Sequence, residues 1–301
     1  MATRAAPAWL QAFLLAHRHL HAPTYGGFLS DHLPMAALAM WHFGHSEDSI
    51  RRWAAGYTKQ LDTAPDLHYL ELCTQIDSEI EHRGTTMVLQ QRLPELLSGW
   101  VQDAFHPLIR IAFGRRFQCP GEVSAGLAYL AQVGADPMLA NYAASARPGS
   151  QVRWPSAVPT AASTFTRRVT IFLSSKPTEP TLLGPQTMNA YALAALRVML
   201  STQHFFALHL LTAADAFRVV TAGLRGIPDS LFAAGLMAGY AAAGPLSAAT
   251  NAQFDAAEAF HTDLEHDYKV ALSCLEWAEV TQHPLFQQAA HNFIDQLQVE
   301  G

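Results

Sequence analysis

The segment SEDSIRRWAAGYTKQL, residues 46–61, decides the fold class. Ser46 is an N-cap candidate, and Glu47 and Asp48 follow it where a helix dipole favours negative charge. Ile50, Trp53, Ala54, Tyr57 and Leu61 then recur at three- and four-residue steps. A strand would alternate every second residue, so this period predicts a helix with one buried face.

The same pattern extends in both directions. Upstream, Asp31-His32-Leu33-Pro34 opens an apolar run through Met35, Leu38 and Met40 to Phe43. Pro34 fits only a first helical turn and Gly44 is placed to end the run, so His32 is expected at a helix start. Downstream, Leu93-Pro94 opens a segment through Trp100, Phe105, His106, Leu108, Ile109 and Ile111, read as one helix or two short ones bent at Pro107. Thr187 to Leu224 is nearly uncharged and too long for one straight helix, with a break expected near Thr202. From Asn251 to Gln298, Phe254, Ala257, Phe260, Leu264, Tyr268, Leu272 and Leu275 keep helical spacing, and His283-Pro284 introduces a final helix.

Between these lies residues 145–186, punctuated by Pro148, Pro155, Pro159, Pro177, Pro180 and Pro185, with one strand-like patch at Val169 to Leu173. No linker of low complexity divides the chain, and no repeat is visible. The expectation is an all-α protein: a single compact multi-helix domain over residues 1–301, with one long irregular excursion. The uncharged stretch Ser230 to Phe254 could span a bilayer on length, but it is mostly Ala and Gly and is broken at Gly244-Pro245. It reads as a close-packed buried helix in which Gly235-x-x-x-Gly239 is a helix contact. The opening MATRAAPAWLQAFLLAHRHLH reads as mature protein rather than a leader.

Half of the 301 residues are hydrophobic and 15% are charged, enough to bury a sizeable core. A net charge of -6 without a basic run argues against nucleic acid as a partner. Cys73, Cys119 and Cys274 are odd in number and far apart, which excludes a disulfide framework and a CxxC zinc site and fits the cytoplasm. No dinucleotide, Walker A or nucleophile-elbow motif is present, and Glu258 with His261 gives one E-x-x-H without the second that a di-iron bundle needs.

The compositional anomaly is fifteen histidines. His32, His106, His209 and His266 lie inside apolar helical sequence, where a solvated imidazole is out of place. Each alone could be a hydrogen-bonded structural histidine, but four drawn from separate helices can hold a cation such as iron, zinc, copper or nickel. Lys269 shares a helix face with His266 and could join only as a neutral amine or a carbamate; on spacing alone a surface lysine is the preferred reading. Arg110, set between Ile109 and Ile111, needs either an anionic substrate or a carboxylate as partner. His17, His19, His21, His45, His68, His82 and His291 sit in polar or terminal settings and are assigned nothing.

At these residues the sequence resembles the questin oxidase-like family, which includes an aflatoxin-pathway oxidoreductase with a Baeyer–Villiger-type step. The matching segments are YGGFLSDHLPMAALA (25–39), LPELLSGWVQDAFHPLIRIAFG (93–114), LHLLTAADAFR (208–218) and EHDYKVALSCLEWAEVTQHPLFQQAA (265–290). The resemblance implies a non-flavin oxygenase that oxidises or opens a ring of an aromatic, quinonoid polyketide with O2 at Fe(II). It implies His32, His106, His209 and His266 as iron ligands, with Lys269 completing the set as a carbamylated lysine. Where the family tends to a second histidine after His209, this chain has Asp215, which would either bind the metal or orient a ligand histidine. Phe28, Trp41, Phe105 and Phe206 are candidates for the walls of the substrate site, and Arg110 and Asp215 for catalytic roles. Two other classes remain open: a helical protein that holds an aromatic ligand without turnover, and a zinc hydrolase, to which four histidines leave little room for an activated water.

Overall fold

A computed structural model describes residues 4–63, 65–158, 164–244 and 264–299. Among them are fourteen α-helices and four strands of two residues each, so the chain is all-α as expected. Internal packing groups the helices into two units: Met1–Ala135 with Val219–Gly226, and Asp136–Arg218 with Ile227–Gly301.

The first unit contains α1 (Ala8–Leu20), the antiparallel pair β1 (Thr24–Tyr25) and β2 (Leu29–Ser30), α2 (Leu33–His42), α3 (Glu47–Tyr57), α4 (Leu67–Arg83), α5 (Thr85–Leu96), α6 (His106–Arg116) and α7 (Pro120–Val133). Ser46 caps α3 as its sequence predicts, accepting from the Ser49 N–H at 3.2 Å, and Ile50, Ala54 and Tyr57 form its buried face. Helix α4 buries Tyr69, Cys73, Ile76 and Ile80, a stripe at helical period. Pro94 departs from expectation. It lies inside α5 rather than opening a helix, and Pro107, in the first turn of α6, marks the start instead.

Helices α6 and α7 meet backbone to backbone. A Cβ on Gly126 would stand 2.7 Å from the Ile111 nitrogen, and one on Gly114 would stand 2.5 Å from the Val123 nitrogen. Only glycine permits that approach. Arg115 then donates to the carbonyls of Val219 and Val220 at 2.9 and 2.6 Å and of Ala222 at 2.6 Å, closing the last turn of the helix that ends at Thr221.

The second unit contains α8 (Pro137–Ala144), α9 (Phe165–Ser174), α10 (Thr187–Thr202), α11 (Phe205–Thr221, to Arg218), α12 (Asp229–Ala243), α13 (Leu264–Thr281) and α14 (Pro284–Val299). A two-residue parallel pair joins β3 (Arg147–Pro148) to β4 (Thr181–Leu182). The strand-like patch Val169 to Leu173 is helical. Its β-branched residues favour a strand, but Thr164 accepts from the Arg167 N–H at 3.2 Å and Phe165, Val169 and Phe172 fall on one buried helical face. The break near Thr202 is present, with Gln203 in the left-handed region at φ 49°. Helix α12 is buried from Leu231 to Ala243, Gly235 and Gly239 included, and packs against α8, α9 and α10. The expected helical residues Phe254, Ala257 and Phe260, and the Glu258/His261 pair, lie outside the described residues. Among the described residues no helix is long and apolar enough to cross a membrane.

Candidate metal centre

In the first unit His32 precedes α2, and the local backbone is held from several sides. Asp31 Oδ1 accepts from the Leu33 N–H at 3.0 Å, Asp31 Oδ2 bonds His17 Nε2 at 2.7 Å, and the Tyr57 hydroxyl accepts from the His32 N–H at 3.0 Å. A Ser/Asp-type cap on the free amides of a helix start is the ordinary solution, and Asp31 supplies it. His17 is 4% exposed and belongs to this support, which its polar setting in the sequence hid.

His106 opens α6 and follows an unusual run. Asp103, Ala104 and Phe105 all have positive φ, at 47°, 52° and 70°. L-residues in that region cost roughly 1–2 kcal/mol each, so the run persists only because neighbours hold it. One of those holds is the Asp103 carbonyl, which accepts from the His106 backbone N–H and from His106 Nδ1, the latter at 2.6 Å. A carbonyl can only accept, so Nδ1 carries the ring proton and Nε2 keeps its lone pair. That Nε2 stands 2.7 Å from Nε2 of His32, with the two rings stacked at 4.6 Å and 19°. The carboxylate of Asp103 accepts from the Tyr129 hydroxyl at 3.0 Å, and Ser30 Oγ lies 3.0 Å from the same hydroxyl. Burial, reinforced by the Asp103 charge, raises Tyr129 well above the usual phenol range, so the hydroxyl remains a donor.

In the second unit α11 carries His209 and α13 carries His266, with ring centroids 5.4 Å apart and both residues buried. His209 Nδ1 donates to the Phe205 carbonyl at 3.2 Å, again leaving the lone pair on Nε2. Phe205 packs edge-on to both rings, at 5.3 Å from His209 and 4.9 Å from His266. Sequence reasoning passed over Phe205, although its step of four to His209 was visible. Lys269 is 1% exposed, which overturns its reading as a surface lysine. Burial pulls its ammonium down to about 7, with Glu265 opposing the fall. The buried histidines, together with Glu265, have the donor chemistry to hold a metal ion.

The other candidates are placed as follows. Arg110 finds its partner inside the first unit: Nε donates to Glu122 Oε2 at 2.7 Å, so the carboxylate of the two alternatives is the one present. Burial alone would lower Arg110, but Glu122 and Tyr69 more than offset it and hold the guanidinium charged. Asp215 accepts from Arg218 at 2.8 Å and from Ser273 at 3.4 Å, and Arg218 also reaches Glu276 at 2.8 Å. Phe206 lies half-buried 6.1 Å from His209. Phe105 is fully buried against Trp100, Trp41 is buried beside Phe117 and Arg4, and Phe28 is 62% exposed on the turn between β1 and β2. A groove of about 820 Å³ in the first unit, lined by Gln11, Asp77, Thr85, Arg115 and Glu122 among others, includes none of the four histidines.

No protein-family model matches the sequence, and no curated protein matches it.

Proposed function

We propose that the protein is a non-flavin, iron-dependent oxygenase, similar to the questin oxidase-like enzymes, that oxidises or cleaves a ring of an aromatic or quinonoid substrate with O2. The observation that carries this reading is the 2.7 Å approach of the His32 and His106 Nε2 atoms. Two imidazole nitrogens about 2.1 Å from one ion stand about 3.0 Å apart at a right angle and about 3.4 Å apart at the tetrahedral angle. At 2.7 Å the two nitrogens share a hydrogen bond when no metal is bound, and they converge closely enough to bind one ion; that the ion is iron is what the resemblance implies.

Bound iron would supply the O2 chemistry that no side chain offers. The chain's own residues prepare for it. The Asp103 and Phe205 carbonyls hold the Nδ1 protons of His106 and His209, which commits each Nε2 to the ligand role and raises its basicity. His266 and Lys269 complete the ligand set that the resemblance implies. Burial favours the uncharged amine of Lys269, and that amine can add to CO2: an N–C bond forms, one proton leaves to solvent, and the product is a carbamate that ligates like a carboxylate. Phe205, itself 41% exposed, and half-buried Phe206 offer flat apolar surface beside His209 for an aromatic ring. Arg110 and Asp215, each already paired within its own unit, support these helices rather than meet substrate.

The test is metal analysis of protein purified without chelators or a histidine tag and loaded anaerobically. About one iron per chain is expected, lost in His106→Ala without loss of helix content, with O2 uptake that depends on added hydroxyquinones. A protein that takes no metal under these conditions is instead a helical binder, in which His32 donates to His106 and an aromatic ligand is held without turnover.

A further inference from the structure

The two histidines of the first unit come from segments far apart in sequence, and one hydroxyl group joins those segments. Ser30 lies two residues before His32, and Asp103 lies three before His106. Tyr129 Oη is 3.0 Å from Ser30 Oγ and 3.0 Å from Asp103 Oδ2. A carboxylate accepts, so Tyr129 donates to Asp103, and its remaining lone pairs take the Ser30 proton. The chain of bonds is therefore directional: Ser30 to Tyr129 to Asp103.

We infer that Tyr129 is the positioning residue of the histidine pair: its hydroxyl clasps the segment bearing His32 to the strained turn bearing His106, and so sets the approach of the two Nε2 atoms. The inference rests on the proposed metal-binding role of that pair. Three features of the first unit make the clasp necessary. Asp103, Ala104 and Phe105 are left-handed without a glycine among them, so the turn relaxes unless something holds it. The Asp103 carbonyl that fixes the His106 tautomer belongs to that same turn, so relaxation would also release the ring. Tyr129 is 3% exposed and stands on α7 one turn beyond Gly126, where α7 touches α6 closely enough that a Cβ would lie 3.1 Å from the Pro107 carbonyl. The hydroxyl is thus presented from a helix packed closely against α6. A simple core tyrosine would need one partner; this one has two, on the two segments that carry the histidines.

The experiment uses the full chain with Tyr129→Phe, which keeps the ring and removes the clasp. In metal-free protein labelled with ¹⁵N-histidine, the His106 Nδ1 proton is expected to exchange slowly in the wild type and at least about tenfold faster in the variant. Competitive titration with Co(II) is expected to show affinity lower by about 10–100-fold, the usual cost of losing an outer support of a ligand, while far-UV circular dichroism stays unchanged. Asp103→Asn retains an acceptor for Tyr129 and should stay within a few-fold of the wild type in both measurements; Asp103→Ala should behave as Tyr129→Phe. Should Tyr129→Phe fail to fold, Ser30→Ala opens one side of the clasp and should accelerate the same exchange. Wild-type exchange at His106 in Tyr129→Phe, or in both Ser30→Ala and Asp103→Ala, overturns the inference. Because the exchange is read without metal, a wild type that binds no Co(II) would count against the metal site alone and leave the clasp to be judged by the exchange.

Discussion

Arg110 Nε donates to Glu122 Oε2 at 2.7 Å, and the two side chains are 4% and 2% exposed. Each charge is out of water and is tolerable only because of the other. Glu122→Ala is expected to destabilise the protein by about 3–5 kcal/mol, because it strands the guanidinium, whereas the double variant Arg110→Met/Glu122→Leu should recover most of that loss. Urea denaturation of the single and double variants measures both. A single variant as stable as the wild type would mean that water reaches the pair.

Ala104 sits at φ 52° in the middle of the left-handed turn. Glycine occupies that region without the Cβ penalty, so Ala104→Gly should raise stability by about 1 kcal/mol even though it frees the unfolded chain. Calorimetry should show a higher Tm, and a lower one would show that the turn is held at no cost. Because glycine keeps the turn left-handed at less cost, Ala104→Gly should also bind Co(II) at least as tightly as the wild type.

Lys269 gives a pH dependence with a definite sign. Its ammonium falls from the ordinary 10.5 to about 7 on folding, through burial, so between about pH 7 and 10.5 the unfolded chain binds the extra proton. The penalty on the folded state is therefore largest below pH 7 and is relieved as pH rises toward 10.5. In metal-free protein Lys269→Met should be stabilising by an amount of the order of a few kcal/mol near pH 6, with the advantage shrinking as pH is raised. Urea midpoints at pH 6, 8 and 10 would show it; a constant offset would mean that the amine stays charged.

Burial pushes the Cys73 thiol up to about 11 and Cys119 up to about 12, and raises Cys274 as well. The thiolate is the nucleophile, so all three should be silent toward a disulfide reagent at pH 8 in the native protein and react together in denaturant. A cysteine that reacts in the native state would mark a locally open region.

Gly126→Ala tests the contact on which α6 and α7 depend. Its Cβ would meet the Ile111 nitrogen at 2.7 Å, and backbone cannot step aside as a flexible side chain can. A loss of about 2 kcal/mol or more is expected, measurable as a fall in Tm; an unchanged Tm would mean that the helices separate freely.

The sequence by itself determined the helices, where apolar period, caps and breakers agree. Ser46, the Pro34 helix start, the break near Thr202 and the His283-Pro284 restart are local signals, each written within a few residues of its effect. That the four histidines are buried was also legible, from their place inside apolar helical sequence. Their supports were not. That His17 meets Asp31, that Arg110 meets Glu122 rather than a ligand, and that Tyr129 joins Ser30 to Asp103 are pairings between residues distant in the chain, and no spacing rule encodes them. Two local readings failed for the same reason. Val169 to Leu173 favours a strand in isolation, yet its capped, one-sided burial makes it helical; Lys269 reads as a surface residue, yet its helix is packed on that side. The left-handed turn before His106 is the clearest case. Nothing in Asp103-Ala104-Phe105 asks for positive φ, and each residue alone resists it. Tertiary contacts decided that turn, because only an assembled core can supply hydrogen bonds strong enough, in a medium dry enough, to hold a backbone where its own sterics would not leave it.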